Sequence, residues 1–204
     1  MRTYSLPTKI SALLFDMDGT LYTNPAYAQS QIDLPIKRLA VLQGKSFEQM
    51  QAEIAEFRAK FATSLGNVFL AFGVSIEESI RWREELYEPT KSLCHDSRLR
   101  ETLIRLSTSR KLALVTNNPT LVAQKTLTAL GVDDRIFSVI VGLDTCKVSK
   151  PHTAPFLKAV ELLGVPCSEC VSIGDRFDID IAVPLSLGMG GIIVNGVEDV
   201  YSLP

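Results

Sequence analysis

No apolar run in the sequence approaches the ~20 residues needed to cross a bilayer. The N-terminal apolar stretch, Ile10–Phe15, is short and stops at Asp16. It is too brief for the hydrophobic part of a secretory signal, and no small-residue cleavage site follows it. No membrane association is therefore expected, and a cytoplasmic location is. Cysteine is scarce: four residues, at 94, 146, 167 and 170, are too few for a disulfide scaffold and are expected as thiols. With only 12 Gly and 10 Pro in 204 residues, a collagen-like chain is excluded as well. An excess of charge of one sign is also missing, because 21 Lys and Arg face 23 Asp and Glu for a net charge of −2. That balance argues against a nucleic-acid surface built on bulk positive charge and against a polybasic membrane anchor. Internal repeats and low-complexity tracts are lacking. What is there is ordinary for a globular chain, 46% hydrophobic and 22% charged, which excludes disorder. The length suits one large domain, or one domain with a modest insertion.

The C-terminal half alternates short apolar runs with amphipathic stretches. Strands are expected at Lys111–Val115, Ile136–Val141, Cys170–Ile173 and Gly191–Val194. Helices are expected at Thr120–Leu130, Thr153–Leu163 and Ile181–Leu187, the last with Asp180 as N-cap. Alternation of this kind builds parallel βαβ units and an open α/β sheet. Ile10–Phe15 is a matching strand far upstream. Between it and residue 111 the composition changes: Gln and Glu are frequent, no β-rich run occurs from Pro25 to Tyr87, and helical spacing fits Ile32–Leu42, Phe47–Phe61, Ile76–Leu86 and Asp96–Leu106. The reading is an α/β core, residues 1–21 and 93–204, interrupted by an all-helical insertion over residues 22–92.

Ligands of open parallel sheets bind at the carboxyl ends of the strands. Here those ends read Asp16-Met17-Asp18-Gly19-Thr20, then Thr116-Asn117-Asn118, then Gly174-Asp175 with Asp178 and Asp180 close behind, while Lys150-Pro151 precedes the helix leading into the third. Carboxylates, a hydroxyl and an ammonium would converge on one edge. Converging carboxylates repel unless a cation joins them, and hard oxygen ligands favour Mg²⁺ shared with a substrate phosphate. Such a metal together with Lys150 would neutralise a phosphoryl group. An Asp beside it can act as nucleophile and form an aspartyl-phosphate. A second Asp two residues on points the same way along an extended segment and can serve as acid and then base. Gly19 lets backbone amides approach the phosphate closely.

These four motifs, in this order and spanning nearly the whole chain, are similar to those of the haloacid dehalogenase superfamily, and the helical insertion after the first motif resembles its small C1-type cap (subfamily IA). The resemblance implies a Rossmann-like parallel sheet flanked by helices. It makes Asp16 the nucleophile and Asp18 the general acid and base. Thr116 with Asn117 would bind phosphoryl oxygens, and Lys150 would screen Asp16 and the phosphate. Asp175 would hold Mg²⁺ with the Asp16 carboxylate and the Asp18 carbonyl, and Asp180 would hold a metal-bound water. Dehalogenase members lack the acid at the position of Asp18, so its presence favours phosphoryl transfer. The expected activity is Mg²⁺-dependent hydrolysis of a small phosphorylated metabolite: a sugar phosphate, a nucleoside monophosphate or phosphoglycolate. A phosphomutase of the β-phosphoglucomutase type and a non-catalytic phosphate-binding regulator are the alternatives.

The chain departs from the family pattern at Arg176, where a small residue is usual, and at His95, where Pro is common. Neither change removes a catalytic group. Leu21-Tyr22 is similar to a pair in pyrimidine 5′-nucleotidase-like members and reads equally as the start of a linker. Cys167-Ser168-Glu169-Cys170 has redox or zinc spacing without a second pair, so two plain thiols are the simpler reading. Phe47, Phe57 and Phe61 are read as core of the insertion. Hinges are expected at Leu21–Asn24 and Tyr87–Leu93. Nothing requires more than a monomer or weak homodimer.

Overall fold

The computed structural model describes residues 1–61 and 65–204, and the chain divides into two compact units, residues 1–24 with 88–204, and residues 25–87. Residues 22–24 and 88–92 lie with the first unit, where Leu21, Tyr22 and Pro89 are buried.

The first unit is built on six strands: β1 (Arg2–Tyr4), β2 (Ala12–Phe15), β3 (Lys111–Val115), β4 (Val139–Val141), β5 (Cys170–Gly174) and β6 (Gly190–Ile193). Their order is β1-β6-β5-β2-β3-β4. All neighbours run parallel except β1, which closes the β6 edge antiparallel. β2 is buried at every residue, as a central strand covered on both faces must be. Its register places Phe15 beside both Leu114 and Ile173, so β2, β3 and β5 end together at one edge.

Helices α5 (Ser97–Ser107), α6 (Thr120–Ala129), α7 (Leu143–Cys146), α8 (Thr153–Leu163), α9 (Ala182–Ser186) and α10 (Val197–Tyr201) complete this unit. One strip of α8 (Phe156, Ala159, Leu163) packs with alternate strand residues Ala12, Leu14, Ala113 and Val115. The helix starts where His152 Nδ1 accepts from the Ala154 N–H at 3.1 Å. It stops at Gly164, whose φ of +64° suits glycine. α5 buries Leu99, Thr102, Leu103 and Leu106 at helical spacing, and the Asp96 carboxylate caps its start on the Leu99 N–H at 2.8 Å.

The second unit is helical: α1 (Pro25–Leu42), α2 (Phe47–Phe61), α3 (Leu65–Ala71) and α4 (Ile76–Leu86). Ile36, Leu39, Met50, Ile54, Phe69 and Trp82 form its core. Phe47 and Phe57 pack on that core, whereas Phe61 is exposed. Of the cations in this unit, Arg38 lies over the Trp82 ring and pairs with Glu85, and Lys45 pairs with Glu53.

Several elements differ from the sequence reading. α1 begins at Pro25 rather than Ile32, because proline suits a first helical turn and the polar Gln29-Ser30-Gln31 stretch carries no apolar signal. β4 begins only at Val139, because Asp133 accepts from the Arg135 N–H at 3.0 Å and winds residues 134–136 into a 3₁₀ turn. Asp180 is not the N-cap of a helix from Ile181. Phe177–Ile181 form one π-helical turn, α9 starts at Ala182, and the Asp180 carboxylate is turned into the protein. β1, α3, α7 and α10 are absent from the sequence reading; each is short. No helix among the described residues is long and apolar enough to cross a membrane.

Candidate active site

Each strand of the central three delivers one polar segment to the common edge. At the end of β2 the Asp16 N–H donates to the Ile173 carbonyl at 2.8 Å, which prolongs the ladder one residue past the strand. The carboxylate is consequently buried, 5% exposed. Lys150, 2% exposed, donates from Nζ to Asp16 Oδ1 at 2.6 Å and to Asp180 Oδ1 at 2.7 Å. The Thr20 hydroxyl reaches Asp16 Oδ2 at 3.3 Å.

Lys150 lies outside regular structure, and Asn117 holds it there. Asn117 Oδ1 accepts from the Lys150 N–H at 2.7 Å, and Nδ2 donates to the Lys150 carbonyl at 3.1 Å. The Asn117 side chain therefore grips the lysine's backbone. Thr116 is buried at the tip of β3, where its N–H donates to the Val141 carbonyl at 3.0 Å and its Oγ1 accepts from the Asn118 N–H at 3.1 Å.

Asp180 is fixed from several sides. Its Oδ2 accepts from the Arg176 N–H at 3.1 Å, and its carbonyl accepts from the Ser172 hydroxyl at 2.7 Å. Gly174 makes this possible: a Cβ there would lie 2.4 Å from the Asp180 Cβ. Gly19 plays a similar part for Asp175. Its φ is +83°, and a Cβ on it would sit 2.5 Å from Asp175 Oδ2.

Carboxylate oxygens of Asp16, Asp175 and Asp180 lie within 4.8 Å of one another. Asp175 Oδ1 is buried without a hydrogen-bond partner. Burial, with Asp180 and Asp18 adding repulsion, pushes Asp16 up to about 7 even against the pull of Lys150. Burial and then Asp180 raise Asp175. Burial alone would lower Lys150, but Asp16 and Asp180 together hold it above its ordinary value. The Lys150 ammonium thus serves two carboxylates, and the third, Asp175, has only the Arg176 guanidinium 3.8 Å from an oxygen that makes no hydrogen bond. An oxygen-only, electron-rich donor set of this kind fits a hard divalent cation such as Mg²⁺.

Asp18 stands apart from that trio. Tyr22 OH donates to its Oδ1, and Asn118 Nδ2 donates to its Oδ2 at 2.9 Å. Asp16, Asp175, Asp180, Lys150 and Gly19 therefore meet directly, while Asp18 and Thr116 are linked through Asn118. The sequence reading does not single out Asn118, Thr20 or Ser172, and it offers Tyr22 both as part of a nucleotidase-like Leu-Tyr pair and as the start of a linker. The available signal was position alone, since Asn118 and Thr20 fall within the polar ends of apolar strands. Asp178 is exposed, and Arg176 Nε lies 3.8 Å from Asp175 Oδ1. Cys170 is buried with its Sγ on the Pro166 carbonyl at 3.3 Å, and no cysteine among the described residues joins a metal-ligating group.

A sheet of this topology with acids at the ends of its central strands defines a class, and comparison with known proteins names it. Residues 10–188 match the haloacid dehalogenase-like hydrolases, so the chain belongs to that family and is a hydrolase. A phosphoglycolate phosphatase of Pectobacterium atrosepticum is 30% identical over 197 residues, covering 86% of this chain and 76% of that protein. A HAD phosphatase from Thermococcus onnurineus superposes with a TM-score of 0.66 at 24% identity, covering 91% of this chain and 86% of that one. The β-phosphoglucomutase of Clostridium difficile shares the fold, with a TM-score of 0.60 at 21% identity over 95% of this chain and 97% of that one.

Proposed function

We propose that the chain is a Mg²⁺-dependent phosphatase of small phosphate monoesters, working through an aspartyl-phosphate on Asp16. One observation carries the reading: a buried carboxylate at the tip of the central strand, paired with a buried lysine and adjoining a carboxylate whose buried oxygen has no hydrogen-bond partner.

Asp16 and Asp175, with the Asp18 carbonyl and with Asp180 nearby, would hold the ion, and Mg²⁺ when bound draws charge from the phosphoryl oxygens. The Asp16 carboxylate attacks phosphorus. The ester P–O bond breaks, and Asp18 gives its proton to the departing alkoxide. Asp18 then takes a proton from water as the water oxygen attacks the same phosphorus. Inorganic phosphate leaves, and the Asp16 carboxylate is restored. Lys150 keeps Asp16 oriented and offsets the charge that gathers on the phosphoryl group, aided by Thr116. The backbone near Gly19 and Asn117 supplies further phosphate contacts.

Phosphoglycolate is the first substrate to try, because relatives over most of the chain carry that activity in their names. The helical unit, inserted directly after the segment bearing Asp16 and Asp18, is proposed as the cap that selects the substrate. A cytoplasmic location and a monomer or weak homodimer belong to the same proposal.

The test is inorganic phosphate released from 4-nitrophenyl phosphate and phosphoglycolate, with Mg²⁺ and with EDTA. Release that needs Mg²⁺ supports the reading. Isomerised product without phosphate would point to a mutase, and phosphate binding without turnover to a regulator; either result contradicts it.

A further inference from the structure

Asp18 differs from its neighbours in what holds it. Asp16 and Asp180 share the Lys150 ammonium, and each Asp18 oxygen accepts from a donor of its own, Oδ1 from the Tyr22 phenol and Oδ2 from the Asn118 amide. Both donors are themselves anchored. Tyr22 is 4% exposed and follows Asp18 by one turn, with a backbone bridge between the two residues. Asn118 is 6% exposed; its N–H donates to Thr116 Oγ1 at 3.1 Å, and its carbonyl accepts from the Leu143 N–H at 2.9 Å.

A carboxylate gripped through each oxygen by a different anchored donor has little freedom about its side-chain torsions. We infer that Tyr22 and Asn118 are positioning residues that fix the Asp18 carboxyl for proton delivery to the leaving group. The inference rests on the phosphatase reading above. Neither residue touches the reacting atoms; both act through Asp18. Tyr22 is thus a working part of the site, and Asn118 couples Asp18 to Thr116 just past β3.

The assignment predicts a dependence on the leaving group. A nitrophenolate departs without a proton, and an alkoxide needs one. The specificity constant kcat/KM reports the steps up to that departure, so it isolates the acid role from the later base role. Tyr22→Phe removes one oxygen and keeps the buried ring. It should lower kcat/KM about tenfold for the alkyl phosphate that the wild type hydrolyses fastest among phosphoglycolate, a hexose phosphate and a nucleoside monophosphate. For 4-nitrophenyl phosphate the change should stay within about twofold, with inhibition by inorganic phosphate unaltered. Asn118→Ala should show the same selectivity. Equal falls on both substrates, or no fall on either, would overturn the inference while leaving the phosphatase reading standing. A wild type that releases no phosphate from any of them overturns the phosphatase reading itself, before any variant is compared.

Discussion

Lys150 joins the proposed chemistry to stability at one residue. Its ammonium is the shared partner of two buried carboxylates. Removing one member of a buried ionic group leaves charge uncompensated, at a cost of about 3–5 kcal/mol. Lys150→Met should therefore lose roughly that much in urea unfolding and also abolish turnover. A variant as stable as the wild type would show that the two acids do not depend on the lysine for their place in the fold. Cys170 makes the opposite case. Burial first, then Cys167 and Glu169, pushes its thiol up to about 12, and Cys94 is exposed. Iodoacetamide at pH 8 should modify Cys94 and spare Cys170 until the protein is unfolded, as read by peptide mass spectrometry. Prompt labelling of Cys170 in the folded protein would contradict the packing described around it.

At the scale of elements, the ends of β2, β3 and β5 decide what the site can be. Gly174 closes β5 with no room for a side chain beside Asp180. Gly174→Ala should displace Asp180, cost about 1–3 kcal/mol of stability and lower activity by an order of magnitude or more. Unchanged activity would mean that Asp180 has slack the structure does not suggest. The same strand ends explain what was legible in the sequence. A short apolar strand running into Asp16, or into Gly174-Asp175, announces a buried strand with polar chemistry at its tip, because strand ends at this edge are where side chains meet a ligand. The pairings could not be read. Asn117 finds the Lys150 backbone 33 positions away, and Asn118 finds Asp18 100 positions away. Such partners are set by sheet order, to which local spacing is blind. Short edge elements such as β1 and α10 were missed for a related reason: three to five residues carry too little periodicity. Asp180 was misread as an N-cap because an acid before an apolar helical stretch signals one, and here tertiary contacts with Lys150 and Gly174 overrode that signal.

For the whole molecule, the proposed metal site in the acidic trio would tie ion binding to folding. An ion that binds the folded chain alone stabilises it by about 2.7 kcal/mol at a hundredfold excess over its Kd. Mg²⁺ should accordingly raise the melting temperature of the wild type, EDTA should reverse the rise, and Asp175→Asn should abolish it. Equal shifts in wild type and variant would place the ion elsewhere. The central claim is that Asp16 becomes phosphorylated. The most direct measurement is to mix enzyme, Mg²⁺ and ³²P-labelled substrate, quench in acid within one turnover, and map the label. The account predicts protein-bound phosphate on Asp16 in the wild type and none in Asp16→Asn, which should remain folded and inactive. Steady turnover by Asp16→Asn, or label on another residue, would contradict it.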